Sequence, residues 1–205
     1  MPDSEKKPKK ITFNKKVVFA IIMICVAFFG SFLIYFILQF ALNTNTPVVV
    51  VVSGSMEPTI HEGDLLFVKG TNPASIRNGT IVDKDGDIIV FDARGLWSGA
   101  PQDPIVHRVV DKELRMDGWY FRTKGDANSL PDPDWVPESN IFGVVIGGIP
   151  YIGWIKIFLT ESGLLIPLLV IISALLIISI IRDIIKEDKN KKNEEIEESE
   201  QKKLN

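Results

Sequence analysis

Two uncharged apolar runs, a series of short Val- and Ile-rich segments between them, and the turn signals that punctuate that series predict a mainly β fold. The expected architecture is a small antiparallel β domain flanked by two membrane-spanning helices. A chain of 205 residues has room for one modest domain. Because the apolar runs take up part of that length, only the middle is available for a water-soluble core.

The first run, residues 17–40, reads VVFAIIMICVAFFGSFLIYFILQF and carries no charge. About 20 apolar residues are enough to cross the bilayer hydrocarbon. A cleavable secretory signal has a shorter apolar region, roughly 7–15 residues, and small residues at its end, whereas this run is longer and rich in Phe. An uncleaved anchor is therefore expected, although Lys6, Lys7, Lys9, Lys10, Lys15 and Lys16 precede it. The second run, residues 162–181, reads SGLLIPLLVIISALLIISII and meets the same length criterion. Pro167 near its start is tolerable in a bilayer, where neighbouring groups satisfy the freed carbonyl.

Lys and Arg near the ends of spans stay on the cytoplasmic side. The lysines of residues 1–16, and Arg182, Lys186, Lys189, Lys191 and Lys192 of residues 182–205, therefore place both termini inside. Residues 41–161 are then extracytoplasmic, in a multi-pass protein of the cell membrane with lipid as a partner. The tail from Glu187 on mixes Glu, Lys and Asn with almost no apolar residues, so a disordered segment or a solvated helix is expected.

Composition excludes several classes of function. The net charge is −3, and the outer segment is acidic, with Asp64, Asp83, Asp85, Asp87, Asp92, Asp103, Asp111 and Asp117 among its carboxylates. A phosphate backbone would be repelled, so nucleic acid is not an expected partner. Cys25 is the only cysteine, so neither an intramolecular disulfide nor a cysteine zinc site is expected. With only His61 and His107 available, no metal site or other cofactor is expected.

The strands expected in the outer segment are residues 48–52, 65–68, 88–91, 105–110, 119–123 and 141–146. Asp85-Gly86 and Asp117-Gly118, each between such segments, suggest tight hairpin turns. Asp83, Asp85 and Asp87 imitate the first ligands of a calcium loop. Ile88 and Arg94, however, stand where that loop needs Gly and Glu, so a solvated hairpin tip is the better reading. Asn78-Gly79-Thr80 fits the glycosylation sequon on an exposed loop.

Chemistry concentrates at Ser53-Gly54-Ser55-Met56-Glu57-Pro58-Thr59, just after the Val48–Val52 run. A serine hydroxyl needs a neighbouring base, and a third group commonly orients that base. His61 lies in a turn-like stretch and is expected to face solvent. His107 lies in Ile105-Val106-His107-Arg108-Val109-Val110, where strand alternation puts Ile105, His107 and Val109 on one face and Val106, Arg108 and Val110 on the other.

Three ordered blocks, SGSMEPT around Ser55, IVHRVV around His107, and TKGDAN followed six residues after Asp126 by Asp132, resemble type I signal peptidases of the archaeal and endoplasmic-reticulum type. The likeness covers about residues 48–146 and the first span. It implies a membrane-bound serine endopeptidase that removes signal peptides from secretory preproteins after small residues, at the outer membrane face. By the same resemblance Ser55 is the nucleophile and His107 the general base. Asp132 orients His107, and Asp126 is a second carboxylate that positions the loop of residues 125–133 or shares that orienting role. The Ser55 N–H and the Ser53 hydroxyl form the oxyanion hole. Gly54 is expected to permit a sharp turn, Met56 to line the groove and Pro58 to stiffen the loop. The family block usually reads GDNN, and here Ala127 replaces the first Asn.

Related peptidases use lysine as the base, which makes Lys112 and Lys124 the alternatives. Lys112 lies between Asp111 and Glu113, which favour its charged form. A histidine base loses activity on acidification near the ordinary histidine value of about 6.5; a lysine base would do so near pH ~9. The rival from another class is a non-catalytic, membrane-anchored β module whose serine loop is only a turn. Expected partners are signal peptides, bound as extended segments by strand addition, and the translocation machinery.

Overall fold

The computed structural model describes residues 15–204. The basic residues Lys6, Lys7, Lys9 and Lys10 lie outside the described residues. The chain divides into two compact units: Leu33–Ser162, and the terminal segments up to Phe32 and from Gly163 onward.

The unit Leu33–Ser162 is built on one antiparallel sheet. Its strands are β1 (Val48–Val50), β2 (Leu65–Lys69), β3 (Ile88–Phe91), β4 (Ile105–Arg115), β5 (Gly118–Lys124), β6 (Val136–Pro137) and β7 (Ile141–Ile149), in the spatial order β1-β2-β7-β3-β4-β5-β6. All six expected strands are present. β4 and β7 run further than their apolar stretches, because Lys112 to Arg115 pair with Gly118 to Phe121 in a polar hairpin arm and Gly147 to Ile149 pair with β2. β6 escaped the sequence reading because it has only two residues.

Asp117-Gly118 does form the expected tight turn, with Arg115 opposite Gly118 across β4 and β5. Asp85-Gly86 does not join two paired strands, since β2 pairs with β1 and β7 while β3 pairs with β4 and β7. That segment folds back as a loop closed by the Arg77–Asp87 ion pair (2.7 Å) and stitched to β4 by Gly79 N–H to the Val109 carbonyl (3.0 Å). The loop carboxylates are used internally: Asp85 accepts from the Thr80 N–H and Asp83 from the Thr80 hydroxyl.

Alternation along the strands divides the core into two clusters. Val51, Met56, Ile60, Leu66, Val68, Val90 and Val106 form one, and Ile76, Ile89, Phe91, Ala93, Val109, Phe121 and Val136 the other. Val106 is in the first, while Ile105 packs on the second beside Val109, which is the two-face arrangement expected around His107. Helix α2 (Trp154–Glu161) follows β7 and closes over Gly63. Gly63 has φ +86°, and a Cβ there would stand 2.1 Å from the Trp154 ring, so both backbone and packing require glycine.

Helix α1 (Lys15–Leu42) ends in a Schellman-type cap inside this unit: Asn43 adopts φ +50°, its N–H donates to the Phe40 carbonyl and the Thr44 N–H to that of Gln39. The other unit comprises the first part of α1 and helix α3 (Leu165–Leu204). By length and composition Ile21–Leu42 and Ile166–Asn190 are each able to cross a membrane. Gly163 (φ +66°) separates α2 from α3, so the helix that contains the second apolar run begins at Leu165. Pro167 falls in the first turn of α3, where no intrahelical N–H bond is lost. The charged tail continues as helix, the second of the two alternatives.

Candidate active site

Ser55 sits on a single 3₁₀ turn, Gly54–Met56, directly beyond β1. The preceding chain is held to β2's approach by Val51 N–H to the Asp64 carbonyl and Gly63 N–H to the Val51 carbonyl, both 2.9 Å. Met56 is buried and fixes the far side of the turn, and its carbonyl accepts from Thr59 and Ile60. The Gly54 carbonyl accepts from the Glu57 N–H at 3.1 Å. Across a trans peptide the Ser55 N–H therefore points the opposite way. Among the described residues it donates to no acceptor. Gly54 does not serve the turn in the expected manner: its φ is not in the left-handed region, and a Cβ would meet only the flexible end of Glu57, at 3.3 Å.

His107 projects from β4 so that its Nε2 is 3.1 Å from Ser55 Oγ and its Nδ1 2.6 Å from Asp132 Oδ2. The side chains of His107 and Asp132 are 7% and 8% exposed, so water competes little for this pair. An ionised carboxylate only accepts, which puts the proton on Nδ1 and leaves Nε2 free to accept from the serine hydroxyl. Phe91 meets the imidazole edge-on, with ring centroids 6.4 Å apart. Thr123, fully buried on β5, donates its hydroxyl to Asp132 Oδ2 at 2.6 Å, and its carbonyl accepts the Asp132 N–H at 2.8 Å. Ser53 Oγ lies 3.4 Å from Ser55 Oγ.

Asp126 occupies a different place. Its carboxylate receives Nε and one terminal nitrogen of Arg108 at 2.9 and 2.7 Å, and the Thr59 hydroxyl at 2.6 Å. Burial pushes the Asp126 carboxyl up, but the hydrogen bonds from Arg108 and Thr59 and the nearby positive charges outweigh it, and the group is held below the usual carboxylate range. The backbone of the same loop grips the turn that carries Ser55: the Ala127 N–H donates to the Ser55 carbonyl at 2.9 Å. A Cβ on Gly125 would stand 2.6 Å from that carbonyl, so only glycine allows this approach. Because the loop uses its main chain here, Ala in place of the family's Asn costs it no contact to Ser55.

The structure thus brings Ser55, His107, Asp132 and Ser53 together and puts Asp126 on Arg108 and Thr59. His61 is exposed, beside Tyr151. Lys112 donates to the Ala74 and Ile76 carbonyls at 3.0 and 2.7 Å and lies over Trp119. Lys124 is paired in register with Arg108, on the face opposite to His107, and its ammonium donates to the Gly125 carbonyl. Thr59, Arg108 and Thr123 were not singled out from the sequence. Only Arg108 had a visible signal, as the charged residue next to His107 on the opposite face of an apolar strand.

A groove of about 450 Å³ runs from Ser55 and His107 along Val48 to Val52, with Met56, Pro104, Ile105 and Val106 among its walls. Among the described residues β1 pairs only with β2, and its other edge carries no strand. Beside the Ser55 hydroxyl and the His107 imidazole the groove is lined by Thr46, Ser53, Asp103, Asn128 and Lys156, and a hydroxyl next to an imidazole suits attack on a carbonyl carbon.

The family model described as "Signal peptidase, peptidase S26" matches residues 15–111, a stretch that contains Ser55 and His107 and ends before both aspartates. Among curated proteins, the signal peptidase complex catalytic subunit SEC11 of Metarhizium robertsii is 34% identical over 155 residues, covering 72% of this chain and 84% of the relative. The subunit of the same name from Clavispora lusitaniae is 31% identical over 150 residues, covering 69% and 82%. That from Schizosaccharomyces pombe is 34% identical over 154 residues, covering 66% and 79%.

Proposed function

The chain belongs to the signal peptidase S26 family as a SEC11-like, serine-type signal peptidase that cleaves signal peptides, and we propose that it does so with Ser55 as nucleophile and His107 as general base, on the outer face of the membrane. The observation that carries this reading is the contact chain from Ser55 Oγ through His107 to Asp132, at 3.1 and 2.6 Å. Ser55 Oγ attacks the scissile carbonyl carbon while its proton passes to His107 Nε2. The negative charge that develops on the carbonyl oxygen is met by the free Ser55 N–H, with the Ser53 hydroxyl as second donor. Collapse breaks the C–N bond as Nε2 returns the proton to the leaving amine. Water, deprotonated by Nε2, then attacks the ester carbon, and as the C–O bond to Ser55 breaks Nε2 returns that proton to Ser55 Oγ, which frees the new carboxyl terminus. Asp132 keeps the imidazole in one tautomer and balances the imidazolium, while Asp126 positions the loop that grips the nucleophile turn.

The segment before the cut lies extended along the free edge of β1, where strand addition supplies main-chain bonds. Val52, Met56 and Val106 line the groove beside Ser55, and the side chain next to the scissile bond is expected to be small, as the family resemblance implies. Anchoring by Ile21–Leu42 and Ile166–Asn190, with both termini inside, raises the effective concentration of a membrane-held preprotein. The relatives are named as subunits of a signal peptidase complex, and a comparable assembly of this chain with partner subunits or with the translocation machinery belongs to the same proposal.

The test is cleavage of a reporter preprotein by the detergent-solubilised full chain beside Ser55→Ala, His107→Ala and His107→Lys, with products read by mass spectrometry. A cut after a small residue by wild type alone is expected. Equal products from His107→Ala would remove His107 as the base, and an active Ser55→Ala would remove the nucleophile.

A further inference from the structure

We infer that Thr123 is a positioning residue for this reaction: its hydroxyl holds the carboxylate that holds the imidazole. The inference rests on the Ser55–His107 mechanism proposed above and adds a fourth side chain to its relay. Asp132 lies between Pro131 and Pro133, in a segment without strand or helix of its own. Neither proline carries an N–H to tie the loop to the sheet. What fixes the aspartate is Thr123, at both ends of the residue: the Thr123 carbonyl takes the Asp132 N–H at 2.8 Å, and the Thr123 hydroxyl donates to Oδ2 at 2.6 Å.

That same Oδ2 accepts His107 Nδ1 at 2.6 Å. Two donors on one carboxylate oxygen, arriving from different strands, set the rotation of the carboxylate about its last bond. With His107 alone the carboxylate would follow every tilt of the ring. Thr123 is suited to act as the fixed point. It is fully buried, it sits in the β4–β5 ladder opposite Val109, and Val109 shares the His107 face of β4 two residues along. Because the carboxylate can only accept, the hydroxyl donates at all times, through the imidazole and imidazolium stages alike. Thr123 does not line the groove, so substrate does not touch it.

These placements separate a role in turnover from a role in substrate binding. Thr123→Val keeps the β-branched shape in the buried site and removes the donor, whereas Thr123→Ser keeps the donor. In the full-length protein with the reporter preprotein, Thr123→Val is expected to lose kcat by roughly tenfold to a hundredfold, the size of effect that a small misplacement of a catalytic group produces. Its KM should stay within about twofold of wild type, as for an interaction felt in the transition state and not in binding. Thr123→Ser should recover most of the lost kcat. Wild-type kcat in Thr123→Val, or equal losses in the Val and Ser variants, would overturn the inference. Ser55→Ala, measured in the same series, keeps it distinct from the mechanism it rests on: an inactive Ser55→Ala beside a fully active Thr123→Val sinks the role of Thr123 alone, and an active Ser55→Ala sinks both.

Discussion

Replacing Asp126 by asparagine should destabilise the β unit strongly. The Arg108 and Asp126 side chains are 9% and 3% exposed, so both charges are out of water. Removing one member of a buried pair leaves the other uncompensated, at about 3–5 kcal/mol. Two contacts soften the loss here: the asparagine oxygen still accepts one bond, and Arg108 still donates to the Gly86 carbonyl at 2.8 Å. The lower figure, about 3 kcal/mol, is therefore the expectation. In a unit of this size it corresponds to a drop in Tm of about 10 °C. Trp97, Trp119, Trp135 and Trp154 are the only tryptophans and all lie in the unit Leu33–Ser162, so their fluorescence during heating in mild detergent reports on that unit. A Tm within about 2 °C of wild type would refute the argument that the pair clamps the fold.

The pH dependence has a defined sign. The folded Asp126 carboxyl is more acidic than an unfolded one, whose value is about 3.9. Its ion pair therefore stabilises the protein at pH values above that, and the stabilisation disappears as the pH falls below about 4 and the folded group takes up its proton. The Tm gap between wild type and Asp126→Asn should be constant near neutrality and should close on acidification. An equal gap at about pH 3 and pH 7 would mean that shape, and not charge, is what the substitution removes.

Two further substitutions separate scaffold from chemistry. Lys112→Met removes the hydrogen bonds to the Ala74 and Ile76 carbonyls and should cost about 1–2 kcal/mol of stability with cleavage intact, as measured by denaturant titration and product formation; loss of cleavage from a fully folded variant would restore lysine as a candidate base. Gly125→Ala places a methyl 2.6 Å from the Ser55 carbonyl and should slow cleavage roughly tenfold or more by moving Ser55; a wild-type rate would show that the turn tolerates the shift.

Periodicity made most of the sheet legible. The alternation in Ile105 to Val110 already divided His107 from Arg108, and the two core clusters follow that division. Turn dipeptides were less reliable. Asp117-Gly118 joins neighbouring strands, whereas Asp85-Gly86 ends a loop whose flanking strands pair elsewhere, and local sequence carries no information on which strands meet across the sheet. The pairing of Ser55 with His107, 52 residues apart, came from family resemblance and not from spacing. Thr59 and Thr123 stayed hidden for a simpler reason: a threonine on a strand or in a turn is ordinary, and only the tertiary fold gives its hydroxyl an aspartate to bind.

The spacing of the two aspartates has a physical explanation in where β5 stops. The β4–β5 ladder ends at Arg108 opposite Lys124, so the stretch of β4 from Ile105 to His107 is paired with β3 on one side and, among the described residues, has no strand on the other. The chain that would have continued β5 instead becomes the loop that carries Asp126 and Asp132. Adjacent residues of β4 face opposite ways, and the loop supplies a carboxylate to each: Asp126 to Arg108 and Asp132 to His107. An uninterrupted β5 would have satisfied the backbone of His107 but left no room for a loop to reach both faces. The early end of one strand thus gives a single sheet position an imidazole with its own buried carboxylate partner and, one residue on, a buried ion pair that ties Thr59 and the turn of Ser55 to the same strand.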